Sequence, residues 1–260
     1  MEHKKITPDP ISQWEQKAAH YQKHGLYNPE DEHSSCGVGL VAAIDGKPRR
    51  SVVEAGIEAL KAVWHRGAVD ADGKTGDGCG IHVEIPKSFF EEQIEHLGHN
   101  LKNDDLAIGM VFLPRTDFGS QERCRVIVER EILNFGYSIY GWRQVPVNTA
   151  ICGEKASLNR PEIEQIMIAN SKGVDAERFE TDLYIIRRRI EAAAERDSIK
   201  DFYICSLSCR SIIYKGMVLA EKLADFYPDL LDERFVSSFA IFHQRFSTNT
   251  FPTWHLAQPF

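Results

Sequence analysis

The chain has 260 residues, of which 43% are hydrophobic and 27% are charged, a composition typical of a globular protein large enough to bury a core. Its formal net charge of -7 argues against a nucleic-acid partner, because phosphate binding requires clustered Lys and Arg. No apolar run is long enough to cross a bilayer, and the N-terminus lacks the apolar segment of a secretory signal, so we predict a cytoplasmic protein without a membrane partner.

The N-terminal third begins with a polar leader. Residues 10–24 predict a short helix that ends before Gly25, and residues 26–35 predict an exposed connector. From Cys36, the sequence GVGLVAAID predicts a buried strand. Ser51 and Glu54 then fit a capping box that would open a second helix. Its apolar face would consist of Val53, Ile57, Leu60 and Trp64.

Helices and strands are mixed in the rest of the chain. Residues 76–86, GDGCGIHVEIP, predict a glycine-rich turn that runs into a strand. Strands are also predicted for residues 106–114, 137–147, 202–208, 211–218 and 237–246, with those at 202–208 and 211–218 paired. Helices are predicted to open at Ser88 and to cover residues 121–135 and 175–197. The basic run Arg187-Arg188-Arg189 fits a solvated helix face, since Glu191 and Glu195 follow it. This mixture indicates a layered α/β domain with antiparallel pairing.

Of the six cysteines, Cys36 stands out by its position after the polar leader. Catalysis by cysteine requires a positioned base, and the sequence pairs no histidine with it. A cut between Ser35 and Cys36 would supply the α-amino group as that base, with a pKa of roughly 7.7 to 8.0. Gly37 and Gly39 would allow close approach of substrate. The same pattern also fits a buried cysteine at the start of a strand.

Two further segments contain candidate functional residues. WHRGAVDADGKTGDGCGI, residues 64–81, is a glycine-rich loop that matches neither a P-loop nor an EF-hand, despite its aspartates. In FAIFHQRFSTNTFPTW, residues 239–254, Arg245 follows an apolar strand. Such an arginine can hold a carboxylate with two hydrogen bonds or form a surface ion pair. His243 fits a structural role better than that of a base.

Five segments of the chain, taken together and in this order, resemble one family. They are EHSSCGVGL, HRGAVDADGKTGDGCGI, WRQVPVN, SLSCRSIIYKGM and HQRFSTNTFPTWHLAQPF. They resemble the N-terminal class II glutamine amidotransferase domain of the glutamate synthase large subunit, over nearly the whole chain. The last segment is the most specific, because it separates glutamate synthases from other class II amidotransferases.

The resemblance implies a fold class and a domain organisation. The fold would be α/β (α+β), a four-layer αββα sandwich of the N-terminal-nucleophile hydrolase type. Residues 1–35 would be a propeptide, and residues 36–260 a glutamine amidotransferase type 2 domain that is incomplete at its C-terminus. The family's Asn-Gly pair of the oxyanion hole and its substrate-binding aspartate would both follow residue 260. We therefore expect these 260 residues alone to be a poor glutaminase, and appreciable hydrolysis by them would contradict this.

The resemblance also assigns roles to residues. Cys36 would be the catalytic nucleophile that hydrolyses L-glutamine to glutamate and ammonia. The substrate-binding residues would be Arg66, Gly67, Arg245, Thr248 and Asn249. No cofactor or metal is implied for this chain itself.

For the full-length protein, the resemblance implies partners and cofactors outside these residues. A synthase domain of the same chain would combine the ammonia with 2-oxoglutarate, using FMN and a 3Fe-4S cluster. NADPH, NADH and ferredoxin all fit as the electron donor. A further partner of the full-length protein would be either a small reductase subunit or ferredoxin. Two alternatives stay open: a stand-alone amidotransferase-like subunit, and a non-catalytic glutamine-binding scaffold.

Overall fold

The structure is a computed structural model that describes residues 9–25, 28, 36–101, 106–246 and 250–260. The chain divides into two compact units, residues 1–35 and 36–260. Helix α1, Pro10–His24, lies in the first unit and confirms the predicted short helix. It begins with Pro10, whose fixed φ suits a first helical turn, and the N–H of Gly25 donates to the Tyr21 carbonyl (2.8 Å) at its end. The propeptide role of this unit stays a prediction.

The second unit contains both strands and helices. Within its described residues the strands are β1 Gly37–Ala42, β2 Cys79–Glu84, β3 Leu106–Leu113, β4 Ser138–Gln144, β5 Glu162–Ala169, β6 Tyr203–Ser208, β7 Ser211–Gly216 and β8 Phe239–Gln244. The helices are α2 Arg50–Ala62, α3 Lys87–His96, α4 Phe118–Asn134, α5 Glu154–Leu158, α6 Ala176–Arg196 and α7 Leu223–Phe226. Short 3₁₀ turns occur at Trp64–Arg66, Thr149–Ile151, Ala220–Lys222 and Pro228–Leu231.

The strands form two antiparallel sheets. The first sheet has the order β1-β8-β2-β7, and the second has the order β4-β5-β3-β6. This mixed architecture confirms the predicted α/β class with antiparallel pairing, and it is consistent with the N-terminal-nucleophile hydrolase type. None of the helices in the described part of the chain has the length and apolarity needed to cross a membrane.

Strand β3 shows how two hydrophobic cores are built. All of its residues are buried, because successive side chains point to opposite faces and both faces are covered. Ile108, Met110 and Phe112 enter a core shared with α2, α3 and the first sheet. Ala107, Val111 and Leu113 enter a second core with α4 and α6. The second sheet is therefore covered by helices on one face and by the core of the first sheet on the other.

The start of α2 differs from the prediction. The helix begins at Arg50, so Ser51 lies inside it and forms no cap. Arg50 anchors this end instead: its Nε lies 3.2 Å from Glu54 Oε1, and its Nη1 donates to the Leu230 carbonyl (2.8 Å). The predicted burial of Trp64 is also wrong, since it is 64% exposed. The α-helix ends at Ala62, and the following 3₁₀ turn rotates Trp64 away from the buried face.

One prediction about the strands is wrong, and one strand was not predicted. Strands β6 and β7 are adjacent in sequence but do not pair: β6 pairs with β3 in the second sheet and β7 with β2 in the first. The short connection between them therefore passes from one sheet to the other. Strand β5 was not predicted, because acidic side chains interrupt its apolar pattern. One of these, Glu164, is buried and accepts a hydrogen bond from Arg125 Nε (2.9 Å).

Contacts on α6 account for the basic run at residues 187–189. Arg187 and Arg188 both pair with Glu191, the Arg187 Nε lying 2.9 Å from Glu191 Oε1. The guanidinium of Arg189 lies 4.8 Å from the centre of the Phe135 ring. The predicted solvated face is confirmed for Arg188 and Arg189, which are exposed, whereas Arg187 is half-buried.

Candidate active site

Cys36 lies directly before β1 and is half-buried. Gly37, the first residue of β1, pairs with Gln244, the last residue of β8. Arg245 follows Gln244 in the chain. The antiparallel register of these two strands therefore places the residue after Cys36 beside the residue before Arg245.

The turn that contains Arg66 packs against the start of β1. A Cβ atom at Gly37 would lie 3.0 Å from Val63 Cβ and 3.1 Å from Arg66 Cβ, closer than side chains normally approach. Gly37 thus permits the 3₁₀ turn Trp64–Arg66 to lie against the strand. This contact brings Arg66 next to the residue that follows Cys36.

A polar cluster, which we call the Asp77 cluster, joins Gly67, Asp77, Gln244 and Arg245. Asp77 is 6% exposed and Gln244 is 2% exposed. Gln244 Nε2 donates to Asp77 Oδ1 (3.3 Å), and Asp77 Oδ2 lies 3.9 Å from Arg245 Nε. A Cβ at Gly67 would lie 1.8 Å from Gln244 Nε2, so only glycine leaves room for this carboxamide. The cluster therefore connects the turn after Arg66 to the guanidinium of Arg245.

The electrostatics of the Asp77 cluster are those of a partly desolvated ion pair. Burial raises the pKa of the Asp77 carboxyl above its usual value, while the nearby Arg245 and Gln244 oppose that rise. Gln244 Oε1 is buried and has no hydrogen-bond partner among the described residues. The Arg245 side chain is 31% exposed, so it can contact both Asp77 and a ligand that approaches from solvent.

The backbone of Arg245 is held in an unusual conformation. Its φ is 115°, a region that residues with a side chain rarely adopt. Its N–H donates to the Gly78 carbonyl (2.8 Å), and its carbonyl accepts from the N–H of Gln258 (3.2 Å). Backbone strain of this kind is concentrated at functional sites, where the surrounding structure fixes it. The direction of the arginine side chain is thus set by its surroundings.

The other aspartates of the glycine-rich loop stabilise the loop itself. Asp72 Oδ1 accepts from the N–H of Thr75 (2.7 Å), and its Oδ2 accepts from the Thr75 hydroxyl (2.6 Å). The Thr75 hydroxyl and the loop N–H groups hold the pKa of Asp72 well below its usual range. Asp70 Oδ2 lies 2.7 Å from Lys155 Nζ. Among the residues that the structure describes, no group of three His, Cys, Asp or Glu side chains could hold a metal ion.

The other five cysteines are poor candidates for a nucleophile. Burial raises the pKa of each of their thiols, to about 12 for Cys124 and Cys205. Cys79 is fully buried, and its Sγ lies 3.3 Å from the Val218 carbonyl. Since the thiolate is the reactive form of cysteine, Cys36 remains the candidate.

His243 lies on the opposite face of β8 from Gln244, because adjacent residues of a strand alternate. It is half-buried, and burial lowers the pKa of its imidazole. Nε2 of His243 is buried without a hydrogen-bond partner in the described part of the chain. This position is consistent with the predicted structural role.

The structure brings together four of the predicted site residues: Cys36, Arg66, Gly67 and Arg245. Their roles stay predictions. Thr248 and Asn249 lie outside the described residues. The sequence reasoning missed Asp77 and Gln244. The sequence held a signal for each of them. Asp77 is a single polar residue between two glycines, and Gln244 is a polar residue at the end of an apolar strand, directly before Arg245.

Comparisons with known proteins identify relatives for almost the whole chain. Residues 36–260 match the family model described as glutamine amidotransferases class-II. The chain is 68% identical over 250 residues to the "Glutamate synthase [NADPH] large chain" of Azospirillum brasilense, covering 96% of this chain and 16% of the relative. It is 41% identical over 241 residues to the protein of the same name from Bacillus subtilis (90% and 15%).

The name of a third relative gives ferredoxin in place of NADPH. The "Ferredoxin-dependent glutamate synthase" of Pyropia yezoensis is 39% identical over 240 residues, covering 90% of this chain and 15% of the relative. The chain therefore spans about one sixth of the length of these curated relatives.

Proposed function

The chain belongs to the class II glutamine amidotransferases, and from that membership we propose that residues 36–260 are the glutaminase domain of a glutamate synthase. The observation that carries the proposal is the convergence at the start of β1. Cys36, the turn that contains Arg66, and Arg245 meet there through the contacts of Gly37, Gln244 and Asp77. A nucleophile beside a fixed guanidinium fits the hydrolysis of an amide whose substrate carries a carboxylate.

The reaction would begin at the thiol of Cys36. Once residues 1–35 are removed, its α-amino group, with a pKa of roughly 7.7 to 8.0, accepts the thiol proton. The sulfur attacks the side-chain carbonyl carbon of L-glutamine, and the same proton passes to the departing nitrogen, which leaves as ammonia. Water then attacks the γ-glutamyl thioester, releasing glutamate and restoring the thiol. In the uncut chain this nitrogen is an amide and cannot act as the base.

Arg245 would hold the α-carboxylate of the substrate. A guanidinium can donate two parallel hydrogen bonds to a carboxylate, and this one is directed by a constrained backbone. Arg66 and Gly67 would shape the wall of the site next to the nucleophile. Thr248 and Asn249 would contribute from the segment that follows Arg245.

The activity of the whole protein extends the proposal. On the family resemblance, ammonia would pass through an internal tunnel to a synthase domain of the same polypeptide, where 2-oxoglutarate is converted to glutamate. That domain would use FMN and a 3Fe-4S cluster. The names of the relatives offer NADPH and ferredoxin as electron donors.

The nucleophile can be tested with substitutions of Cys36 in a chain that extends past residue 260, as the chains of its relatives do. Cys36→Ala and Cys36→Ser are expected to abolish glutamine hydrolysis, measured as ammonia release. Cys152→Ser is the matched control, because Cys152 is another half-buried free cysteine. Wild-type turnover in either Cys36 variant would show that the nucleophile is wrong. Glutamine binding without any turnover in the unsubstituted chain would favour the scaffold alternative.

Removal of the leader can be tested by the intact mass and N-terminal sequence of the expressed protein. We expect the active form to begin at Cys36. An uncut chain that hydrolyses glutamine at the rate of the cut one would contradict the role of the α-amino group.

The role of Arg245 predicts a particular kinetic change. Arg245→Ala should mainly raise the KM for glutamine, with a smaller effect on kcat. Arg234→Ala is a suitable control, since Arg234 is an exposed arginine that pairs with Asp232. An unchanged KM in Arg245→Ala would remove this residue from the substrate site.

A further inference from the structure

The second unit contains a cavity of about 490 Å³. Its walls come from the end of β3, the connection between α5 and β5, the start of β6, and residues 252–255. None of Cys36, Arg66, Gly67 or Arg245 lines it. Its volume falls within the range of roughly 300 to 1,000 Å³ that is typical of small-molecule sites.

Arg115 and Arg160 both line this cavity. Arg115 is half-buried and anchored by backbone carbonyls: its Nε donates to the carbonyl of Arg160 (2.9 Å), and its Nη2 donates to that of Ser157 (3.2 Å). Arg160 Nη1 donates to the carbonyl of Pro161 (3.1 Å). Within the described part of the chain, no carboxylate forms an ion pair with either guanidinium. Asp201 is the one carboxylate among the lining residues, and no ion pair joins it to Arg115 or Arg160 in the described part of the chain. The two guanidinium groups therefore outweigh it and leave the lining with a net positive charge.

Anchoring by carbonyls makes Arg115 a prepared binding group. Its side chain is already fixed in the free protein, so a ligand would not have to order it. Its charge is only partly offset, because carbonyl oxygens carry partial charges. A planar guanidinium with free N–H groups in a half-buried position favours an anionic ligand with carboxylate or phosphate oxygens.

The remaining walls supply hydroxyl groups and rings. Thr116 and Thr253 line the cavity, and the Thr253 hydroxyl lies 3.2 Å from His255 Nδ1. The rings of Tyr203 and His255 lie 5.8 Å apart. Behind this wall, the buried ammonium of Lys215 donates to the carbonyl of His255 (2.9 Å) and adds positive potential. The cavity therefore combines a cationic end with a partly aromatic side.

We propose that this cavity, which we call the arginine pocket, binds a small organic anion. Arg115 and Arg160 hold its carboxylate or phosphate group, and the rest of the ligand lies against Tyr203 and His255. The site is independent of the glutaminase site, and its occupancy does not require that Cys36 be catalytic. Because the interaction is ionic and the pocket is open to solvent, binding weakens as salt concentration rises.

The test uses calorimetric titration of the whole chain with three probes: inorganic phosphate, citrate and AMP. Phosphate carries the anionic group alone, citrate tests carboxylates, and AMP tests a phosphate with an aromatic ring. We expect saturable binding of at least one probe at one site. The probe that binds tightest identifies the chemical class. No saturable binding of any probe up to about 10 mM would overturn the proposal.

Substitutions assign the binding to the pocket. Arg160→Gln should raise the Kd of the probe by about tenfold or more. The only side-chain hydrogen bond of Arg160 among the described residues is to the carbonyl of Pro161, so the fold should tolerate this substitution. Arg115→Lys keeps the charge but removes the forked donor, and it should weaken binding as well.

Arg123→Gln is the matched control. Arg123 lies on α4, is 51% exposed and pairs with Asp197, and it does not line the pocket. Its replacement by glutamine removes one positive charge, as Arg160→Gln does. Binding should be unchanged in this variant. Equal weakening in Arg123→Gln and Arg160→Gln would show a non-specific charge effect and would overturn the site. Unfolding temperatures of all variants verify that each one is folded.

Discussion

Asp229 is the centre of a buried polar network that connects the two sheets. Its carboxylate accepts two hydrogen bonds from Arg143 on β4, from Nη1 and Nη2, both at 2.8 Å. It accepts a third from the hydroxyl of Tyr214 on β7 (2.9 Å). Gln165 on β5 closes the ring, accepting from Arg143 Nη1 (2.8 Å) and donating to Tyr214 (2.8 Å). Asp229→Asn would keep the shape of this side chain and remove its charge.

The expected cost follows from the burial of the pair. The side chains of Arg143 and Asp229 are 12% and 4% exposed, so Asp229→Asn leaves a guanidinium without its counter-charge in the interior. Removing one partner of a buried ion pair costs about 3 to 5 kcal/mol. Asparagine retains one acceptor, so we expect the lower end, about 3 kcal/mol. For a unit of this size that corresponds to a fall in Tm of about 6 to 12 °C.

The assay is equilibrium urea unfolding followed by circular dichroism, supported by thermal unfolding. Asp232→Asn is the control, because Asp232 pairs with the exposed Arg234 and its loss should cost no more than about 1 kcal/mol. A second variant, Arg143→Met in the Asp229→Asn background, removes the stranded charge and should recover part of the lost stability. If Asp229→Asn were no more destabilising than Asp232→Asn, the network would not stabilise the contact between the two sheets.

Three further substitutions test the site and a buried amine. Asp77→Asn removes the charge beside Arg245 and should raise the KM for glutamine several-fold with little change in kcat or Tm; unchanged kinetics would dismiss Asp77 as a positioning residue. Gly67→Ala should displace the carboxamide of Gln244 and lower kcat/KM, and full activity would show that the cluster can rearrange freely. Burial lowers the pKa of Lys215 to about 8 from 10.5, so the unfolded chain binds more protons between these values and stability rises with pH there. Lys215→Met should abolish that rise and add up to about 3 kcal/mol near pH 7, measured by urea unfolding near pH 7 and near pH 10; a pH slope equal to that of the wild type would contradict this.

Local sequence patterns predicted the elements with strong periodicity. The helix α6 and the continuous apolar strand β3 were both predicted, because the spacing of apolar residues within each element indicates which side chains are buried. The crossing between β6 and β7 could not be predicted in that way. Two apolar runs joined by a short turn are typical of a hairpin, and only the pairing of each with a distant strand decides the sheet to which it belongs.

In the candidate site, too, local patterns predicted some residues and missed those that depend on distant contacts. Motif resemblance predicted Cys36, Arg66 and Arg245, each of which is recognisable from its neighbours in the chain. Asp77 and Gln244 were missed because their importance depends on register and on close packing. Gln244 reaches Asp77 only because β8 pairs with both β1 and β2, and because Gly67 leaves room for its carboxamide. Such contacts join residues that are far apart in sequence, and no local pattern encodes them.

Unfavourable features are concentrated at the end of β8. Three residues other than glycine have positive φ in the described part of the chain, but Ser198 and Asp201, at 54° and 59°, occupy the ordinary left-handed region, whereas Arg245 lies at 115°. The same corner holds a buried aspartate whose pKa is raised and the unpartnered Oε1 of Gln244. Each feature costs stability, and a glycine at position 245 would relieve the backbone strain. With an arginine at position 245, the packed cores offset this cost and hold a charged side chain in a fixed direction. Such a fixed, strained residue is expected at a binding site.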